Sequence, residues 1–334
     1  MQFQIVADAL KCDRMVHAPH QAENEKSRLF RVFGHDVPAP ELARGLHLVA
    51  TPIGNLGDVT LRALQTLAAA STIACEDSRV TRRLLDRYGI TTPLLPYHDH
   101  NAEAVRPRIL ALLDGGAAVA LVSDAGTPLI SDPGFKLVQA AQAAGHMVTA
   151  VPGPSAVLAA LTASGLPTDG FFFEGFLPPR EAARCKRIDE LANVPGSLVF
   201  FEAGARIAAM LGDLAGRLGD RPAAVCRELT KLHEEIRRGD LAALAQAWRD
   251  GAETRGEFVV VVGPPAKGEP TKAFDLDRLL TQALATATLK DAVEAVVAAT
   301  GEKRRVVYQR ALALAQGRLA QGRGDDGSGE KPPG

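Results

Sequence analysis

Ser123-Asp124-Ala125-Gly126-Thr127-Pro128-Leu129-Ile130-Ser131-Asp132-Pro133-Gly134 follows the apolar run Ala117 to Val122 and precedes a helical pattern. That placement predicts a loop at the carboxyl end of a buried strand, the edge at which open α/β sheets bind ligands. Small residues let a ligand approach the backbone, prolines stiffen the loop, and Asp124 and Asp132 add polar anchors. The stretch is built to hold a small molecule.

Outward from it, Leu46–Ala50, Thr72–Cys75, Ala118–Val122 and Val148–Val151 read as strands, with helical patterns such as Thr60–Ala70 and Val80–Tyr88 between them. This alternation predicts a mainly parallel sheet covered by helices. Each strand runs into a polar or Gly/Pro loop, so loops of functional composition share one edge of the sheet. After Gly165-Leu166-Pro167 the spacing widens, with strands expected at Phe171–Phe176, Ser197–Phe201, Ala223–Cys226 and Glu257–Val262. A second α/β domain with a mixed sheet follows from that pattern. The expected organisation is a disordered extension over 1–44, an α/β domain over 45–164, a second over 165–266, a helical segment over 271–320 and a disordered tail over 321–334.

With 46% hydrophobic and 23% charged residues over 334 positions, the composition is that of a soluble globular protein of two domains. A net charge of -1 gives no global attraction to nucleic acid or anionic lipid, although 38 Lys and Arg leave room for a local basic face. Cys12, Cys75, Cys185 and Cys226 are scattered without C-x-x-C spacing, which fits a reducing cytoplasm better than a disulfide framework. No apolar run approaches the ~18 residues of a membrane span. A cytoplasmic protein without a membrane partner is expected.

Common nucleotide signatures are absent: no G-x-x-x-x-G-K-[ST] occurs, and no G-x-G-x-x-G follows a strand. The loop Thr51-Pro52-Ile53-Gly54-Asn55-Leu56-Gly57-Asp58 reads equally as an ordinary turn, with Asp58 or Thr60 capping the next helix, and as a ligand loop. In Cys75-Glu76-Asp77-Ser78-Arg79 the acids fit a helix cap with Arg79 as its partner, or a site that orients a polar substrate. Tyr97-His98-Asp99-His100-Asn101 invites a metal reading, since on a strand His98 and His100 would face one side. No third ligand stands at characteristic spacing, so a substrate or RNA contact is preferred and no metal is expected. Pro152-Gly153-Pro154-Ser155-Ala156 opens an apolar helix whose exposed amides can admit a ligand edge. Arg227-Glu228-Leu229-Thr230-Lys231 can contact phosphate, or pair on the surface with Glu234 and Glu235. Lys303-Arg304-Arg305 would touch RNA only if the terminal helices pack as a helix-turn-helix.

In order, TPIGNLGDVTLRAL (51–64), CEDSRVTRRLL (75–85), YHDHN (97–101), SDAGTPLISDPG (123–134), VPGPSA (151–156), FFFEGFLP (171–178) and CRELTKLHEE (226–235) resemble the ribosomal RNA small subunit methyltransferase I family. That family belongs to the tetrapyrrole methylase superfamily, and the resemblance runs closely from Gly45 to Gly263. It implies a two-domain tetrapyrrole-methylase-like α/β fold, a class III methyltransferase, with S-adenosylmethionine in the cleft between domains and a homodimeric assembly. It implies 2'-O-methylation of a cytidine ribose in the decoding region of 16S rRNA, within the small ribosomal subunit. Carried over residue by residue, the cofactor contacts are Pro52, Gly54, Asn55, Asp124, Gly126, Thr127, Pro128, Ser155 and Ala156. Substrate contacts fall to His98, His100, Asn101, Arg227 and Lys231.

The chain departs from the family at three places. Ser78 stands where threonine is usual, Asp99 where glutamate is, and Phe201-Glu202-Ala203-Gly204-Ala205-Arg206 lacks the usual tyrosine and histidine. No catalytic role is assigned to the last two positions, while Glu202 and Arg206 survive. A sulfonium is a strong electrophile, so alignment supplies much of the acceleration, and a base must take the weakly acidic ribose proton. Glu76 and Asp77 are the expected catalytic pair, with Arg79 as orienter or phosphate contact. Two rival readings stand beside this one: methylation of a small tetrapyrrole, and non-catalytic binding to RNA or the ribosome.

Overall fold

A computed structural model of the chain describes residues 28–265, 276–300 and 303–321. Two compact units meet at a border between Ala156 and Val157.

The first unit opens with an antiparallel hairpin, β1 (Leu29–Val32) and β2 (His35–Pro38). Its two-residue turn, Phe33-Gly34, has positive φ at both positions, the geometry that matches strand twist. Phe30 is buried in a cluster with Leu64, Leu67 and Ile73, and Arg28 donates to the carbonyls of Ala69 and Ala70. The expectation of disorder over 1–44 is therefore corrected for residues 28–44, while 1–27 lie outside the described residues. One buried ring fixes this hairpin, and strands of four residues give too little alternation to announce it.

Five parallel strands follow: β3 (Gly45–Val49), β4 (Thr72–Cys75), β5 (Leu94–Pro96), β6 (Ala118–Val122) and β7 (Val148–Val151). Their spatial order is β5-β4-β6-β3-β7. All of β6 is buried, as expected where helices cover both faces. Alternate residues serve opposite faces: Ile73, Cys75, Ala120 and Val122 enter one apolar cluster, and Ala74, Val119 and Leu121 the other. The connecting helices are α1 (Leu61–Ala69), α2 (Ser78–Arg87), α3 (Ala102–Asp114) and α4 (Phe135–Ala143). Thr60 rather than Asp58 caps α1, its hydroxyl accepting from Ala63 N at 3.1 Å.

The strand order creates a crevice. From β4 the chain moves outward to β5, whereas from β6 it moves across to β7 at the opposite edge. Adjacent strands whose connections diverge leave an opening beyond their carboxyl ends, where α/β sheets hold ligands. Here those ends carry Glu76-Asp77 and Ser123-Asp124.

In the second unit, helix α5 (Ala156–Ser164) leads to the sheet β11-β10-β12-β9-β8. Its strands are β8 (Phe171–Phe176), β9 (Ser197–Ala203), β10 (Pro222–Arg227), β11 (Glu235–Asp240) and β12 (Glu257–Val262). β8 pairs parallel with β9, and the other pairs are antiparallel, so the sheet is mixed as expected. Helices α6 (Glu181–Leu191), α7 (Ile207–Leu218) and α8 (Leu241–Arg249) bury a core around Phe200, Met210, Trp248 and Phe258. The units divide at the start of α5, between Ala156 and Val157, and Arg238 of β11 donates to the carbonyls of Ser164 (3.0 Å) and Ala163 (2.5 Å). Those bonds anchor the end of α5 to the second sheet.

Three further helices, α9 (Leu276–Thr286), α10 (Leu289–Thr300) and α11 (Arg304–Gln321), bury Leu280, Val293, Val296, Val307 and Ala311 among themselves. The expected disordered tail lies outside the described residues apart from Gln321, which ends α11. No described helix is long and apolar enough to cross a membrane.

Candidate active site

The loops beyond the carboxyl edge of the first sheet are fastened to one another. Thr51 N donates to Gly126 O at 2.8 Å and Gly126 N to Thr51 O at 3.0 Å, a single β-bridge between the loops after β3 and β6. Thr51 Oγ1 donates to Ser123 O at 3.3 Å, and Thr127 Oγ1 to Pro154 O at 3.2 Å. Three expected cofactor loops are thereby held together: Gly126 and Pro128 are buried, Asp124, Thr127, Ser155 and Ala156 half-buried, and Pro52 buried beside the exposed Gly54 and Asn55. Asn55 Oδ1 accepts from Gly57 N at 3.0 Å, which closes a local turn.

Gly126 has φ +77°, and a Cβ there would stand 3.4 Å from Ile53 Cγ2 and 3.9 Å from Pro154 O. Those are ordinary contacts, so it is the left-handed backbone that favours glycine here. Further along the loop, Leu129 and Ser131 take φ of +73° and +66°, which residues with a Cβ rarely adopt. Such strain gathers at ligand clamps, at about 1–3 kcal/mol per residue.

Across the crevice Asp124 Oδ1 accepts from Asp77 N at 2.9 Å, so the ends of β6 and β4 are tied directly. The neighbouring acids then separate in character. Burial, followed by the charges of Asp124, Asp132 and Asp99, pushes the Glu76 carboxyl above its ordinary range. Burial also raises Asp124 and Asp132. Asp77 goes the other way, to about 2, through hydrogen bonds from the Arg79 side chain and backbone. Its carboxylate caps α2 by accepting from Arg79 N at 2.8 Å and pairs with Arg79 Nη2 at 2.6 Å. Of the expected pair, only Glu76 holds a proton more tightly than usual, and paired groups pushed apart in this way mark acid–base sites.

Asp77→Asn is expected to keep near-normal turnover and melting temperature, because asparagine caps a helix about as well as aspartate. Asp77→Ala is expected to lower the melting temperature. A depressed carboxylate stabilises the fold above its unfolded pKa and loses that contribution as pH falls through its folded value. The difference in melting temperature between Asp77→Ala and wild type, measured by calorimetry, should therefore shrink as the pH falls from about 4 to about 2.

The histidines sit differently from the strand geometry considered for them. Strand β5 ends at Pro96, and Asp99, His100 and Asn101 form a turn, with the His98 and His100 rings edge-on at 6.0 Å. Asn101 stabilises that turn, accepting from His98 N at 2.9 Å and donating to Pro96 O at 3.1 Å. Among the described residues no group of three His, Cys, Asp or Glu side chains is placed to hold a metal ion.

Arg227 and Lys231 belong to the second unit. Arg227 Nε pairs with Glu235 at 3.1 Å, and Lys231 Nζ lies 2.8 Å from both Glu228 and Glu257. Glu228 and Thr230 in this loop have positive φ, and Gly256 makes room for Glu228, whose Cγ would be 2.6 Å from a Cβ. Glu202 is buried and accepts from Arg206 Nη2 at 2.9 Å, while the same nitrogen donates to Leu177 O at 2.7 Å. Those two surviving residues hold the end of β9.

Sequence reasoning missed a cavity of about 370 Å³ in the first unit, lined among others by Asp99, Glu103, Arg106, Asp132, Phe135 and Lys136. Its walls are the turn after β5, the first turns of α3 and the start of α4. Asp132 reads from sequence as a polar anchor; the α3 residues carry no signal, because only the packing of α3 beside α4 brings them to the loop.

The family description Tetrapyrrole (Corrin/Porphyrin) Methylases matches residues 45–245, and the RsmI C-terminal HTH domain matches 271–315. Among solved structures, the cobalamin biosynthetic enzyme cobalt precorrin-4 methyltransferase superposes with TM-score 0.52 at 20% identity, covering 65% of this chain and 94% of that one. That is a likeness of fold, and it is the tetrapyrrole methylase fold. Sequence relatives are nearer. The ribosomal RNA small subunit methyltransferase I of Mesorhizobium japonicum is 50% identical over 293 residues, 87% of this chain and 98% of its own. Its counterpart in Xylella fastidiosa strain Temecula1 is 48% identical over 265 residues, 79% of this chain and 97% of its own. The chain belongs to the ribosomal RNA small subunit methyltransferase I family.

Proposed function

We propose that the protein methylates ribosomal RNA of the small subunit from S-adenosylmethionine, at the 2'-hydroxyl of a cytidine ribose in the 16S decoding region. It would act in the cytoplasm, as a homodimer, on the small ribosomal subunit. The observation that carries this reading is the 50% identity to a ribosomal RNA small subunit methyltransferase I across 98% of that relative's length.

The geometry of the first unit fits the cofactor. Asp124 offers a half-buried carboxylate suited to a cationic ligand, on a loop whose turn at Gly126 takes a positive φ of +77°. Pro52, Gly54, Asn55, Asp124, Gly126, Thr127, Pro128, Ser155 and Ala156 would hold it. When bound, the sulfonium supplies an activated methyl group.

The chain's own residues then have two tasks. The fastened loops fix donor and acceptor in line, which replaces an encounter in solution by a held geometry. Glu76, raised above the ordinary carboxylate range, accepts the proton that the ribose hydroxyl loses. Asp77 and Arg79 hold the start of α2 and so the position of Glu76, and the exposed Arg79 side chain can meet a phosphate. His98, His100 and Asn101 in the first unit, and Arg227 and Lys231 in the second, are assigned to RNA.

Transfer of tritium from labelled S-adenosylmethionine, offered separately to small ribosomal subunits, naked 16S rRNA and uroporphyrinogen, tests the reading. Label in the subunits, mapped by mass spectrometry to a cytidine ribose, is expected. Label only in the porphyrinogen would overturn it, and cofactor binding with label nowhere would favour a non-catalytic binder.

A further inference from the structure

We propose that the 370 Å³ cavity of the first unit is the pocket that takes the acceptor cytidine out of the RNA stack, its base lying on the Phe135 ring. This rests on the RNA reading above and adds a binding site to it. The volume is within the range of small-molecule sites, roughly 300–1,000 Å³.

Phe135 is the first residue of α4 and is 62% exposed. A ring this open in the wall of a cavity offers a face to a ligand. Proteins that read RNA bases commonly splay a nucleotide out and stack it on such a ring. The cations suit the nucleotide's backbone. Lys136 is exposed beside the ring, and Arg106 is half-buried on the wall. Guanidinium and ammonium groups are the usual partners of phosphate oxygens.

The carboxylates supply the choice of base. Asp99 and Glu103 are exposed on the wall, and carboxylates accept from the N4 amine of cytosine, whereas uracil presents a carbonyl oxygen at that position. Asp132 completes the lining toward the crevice. Asp132 and Asp99 are two of the charges that raise Glu76, so the pocket lies within electrostatic reach of the base assigned above.

The test is the steady-state kinetics of methyl transfer to small ribosomal subunits, with S-adenosylmethionine affinity measured in parallel by calorimetry. Phe135→Ala should raise KM for the subunits about tenfold, the order of loss when a base-stacking ring is removed, with cofactor affinity unchanged. Phe135→Trp should restore most of it, a rescue that a purely structural role would not show. Arg106→Gln should also raise KM. Because Phe135 is exposed, its alanine variant should fold, which a matching melting curve checks. If wild type labels the subunits and Phe135→Ala keeps the wild-type KM, the pocket is overturned alone. If wild type labels no RNA, the RNA reading falls and the pocket with it.

Discussion

Replacing Glu76 by glutamine should lower kcat by about 10²- to 10⁴-fold, the usual contribution of a positioned general base, and should also raise the melting temperature at pH 7. The second half follows from the acids around it. Glu76 is pushed up by burial and by Asp124, Asp132 and Asp99, so its ionised form is held at a cost in the folded protein. A carboxyl raised on folding contributes stability below its unfolded pKa and loses that contribution as pH rises through its folded value. Once ionised it is on the unfavourable side, and a neutral isostere removes the repulsion. The same shift orders the pH–rate profile. Activity falls as Glu76 takes up a proton, and this acid limb should lie above the ~4.3 of an ordinary glutamate. Calorimetry and single-turnover kinetics on the one variant check both halves. A glutamine enzyme of normal turnover would remove Glu76 from the mechanism, and one that is slow but less stable would contradict the electrostatic account.

Gly126→Val should weaken S-adenosylmethionine binding at least tenfold, a loss of about 1.4 kcal/mol or more. Valine at φ +77° is strained and crowds Ile53 and the Pro154 carbonyl, so the Thr51–Gly126 bridge must distort. A control separates this from general instability. Gly145 has nearly the same conformation, φ +81°, with no atom within 4 Å of a built Cβ. Gly145→Val should lose stability through the left-handed backbone, about 1–2 kcal/mol, while cofactor affinity stays put. Equal losses of affinity in both variants, measured by calorimetry below their melting points, would remove the loop from the cofactor site.

Much of this arrangement is legible before any coordinates. β4, β6, β7, β8 and β12 occupy the positions read from the chain. β4, β6 and β12 are largely buried and leave apolar runs between loops, while β7 and β8 are legible from their β-branched and aromatic residues although much of their surface is exposed. β5 is only three residues long, and β11 is Glu235-Ile236-Arg237-Arg238-Gly239-Asp240, whose charges hide an edge strand. The loops at the sheet's edge were legible from composition; their division of labour was not. Glu76 and Asp77 look equivalent in sequence, and only the Arg79 pair on one and the burial of the other separate them. The bond between Asp77 and Asp124 joins residues 47 apart in the chain and depends on β4 and β6 being neighbours. Arg106 and Phe135 are further apart in role than in space, since neither belongs to a recognisable motif and both line one cavity.

The placement of β12 has a consequence for how the protein is made. It is the last strand of its sheet along the chain, yet it lies between β10 and β9. The first sheet has all five strands once Val151 is synthesised, and can close early. The second stays divided until Val262 emerges, with the backbones of β9 and β10 each offering an unpaired row of donors and acceptors. Chains grow at about 5–20 residues per second and fold from the N-terminus, so every nascent copy passes through a state with two open inner edges. The second unit is where shelter by a chaperone during synthesis matters, and where premature termination leaves the stickiest fragment.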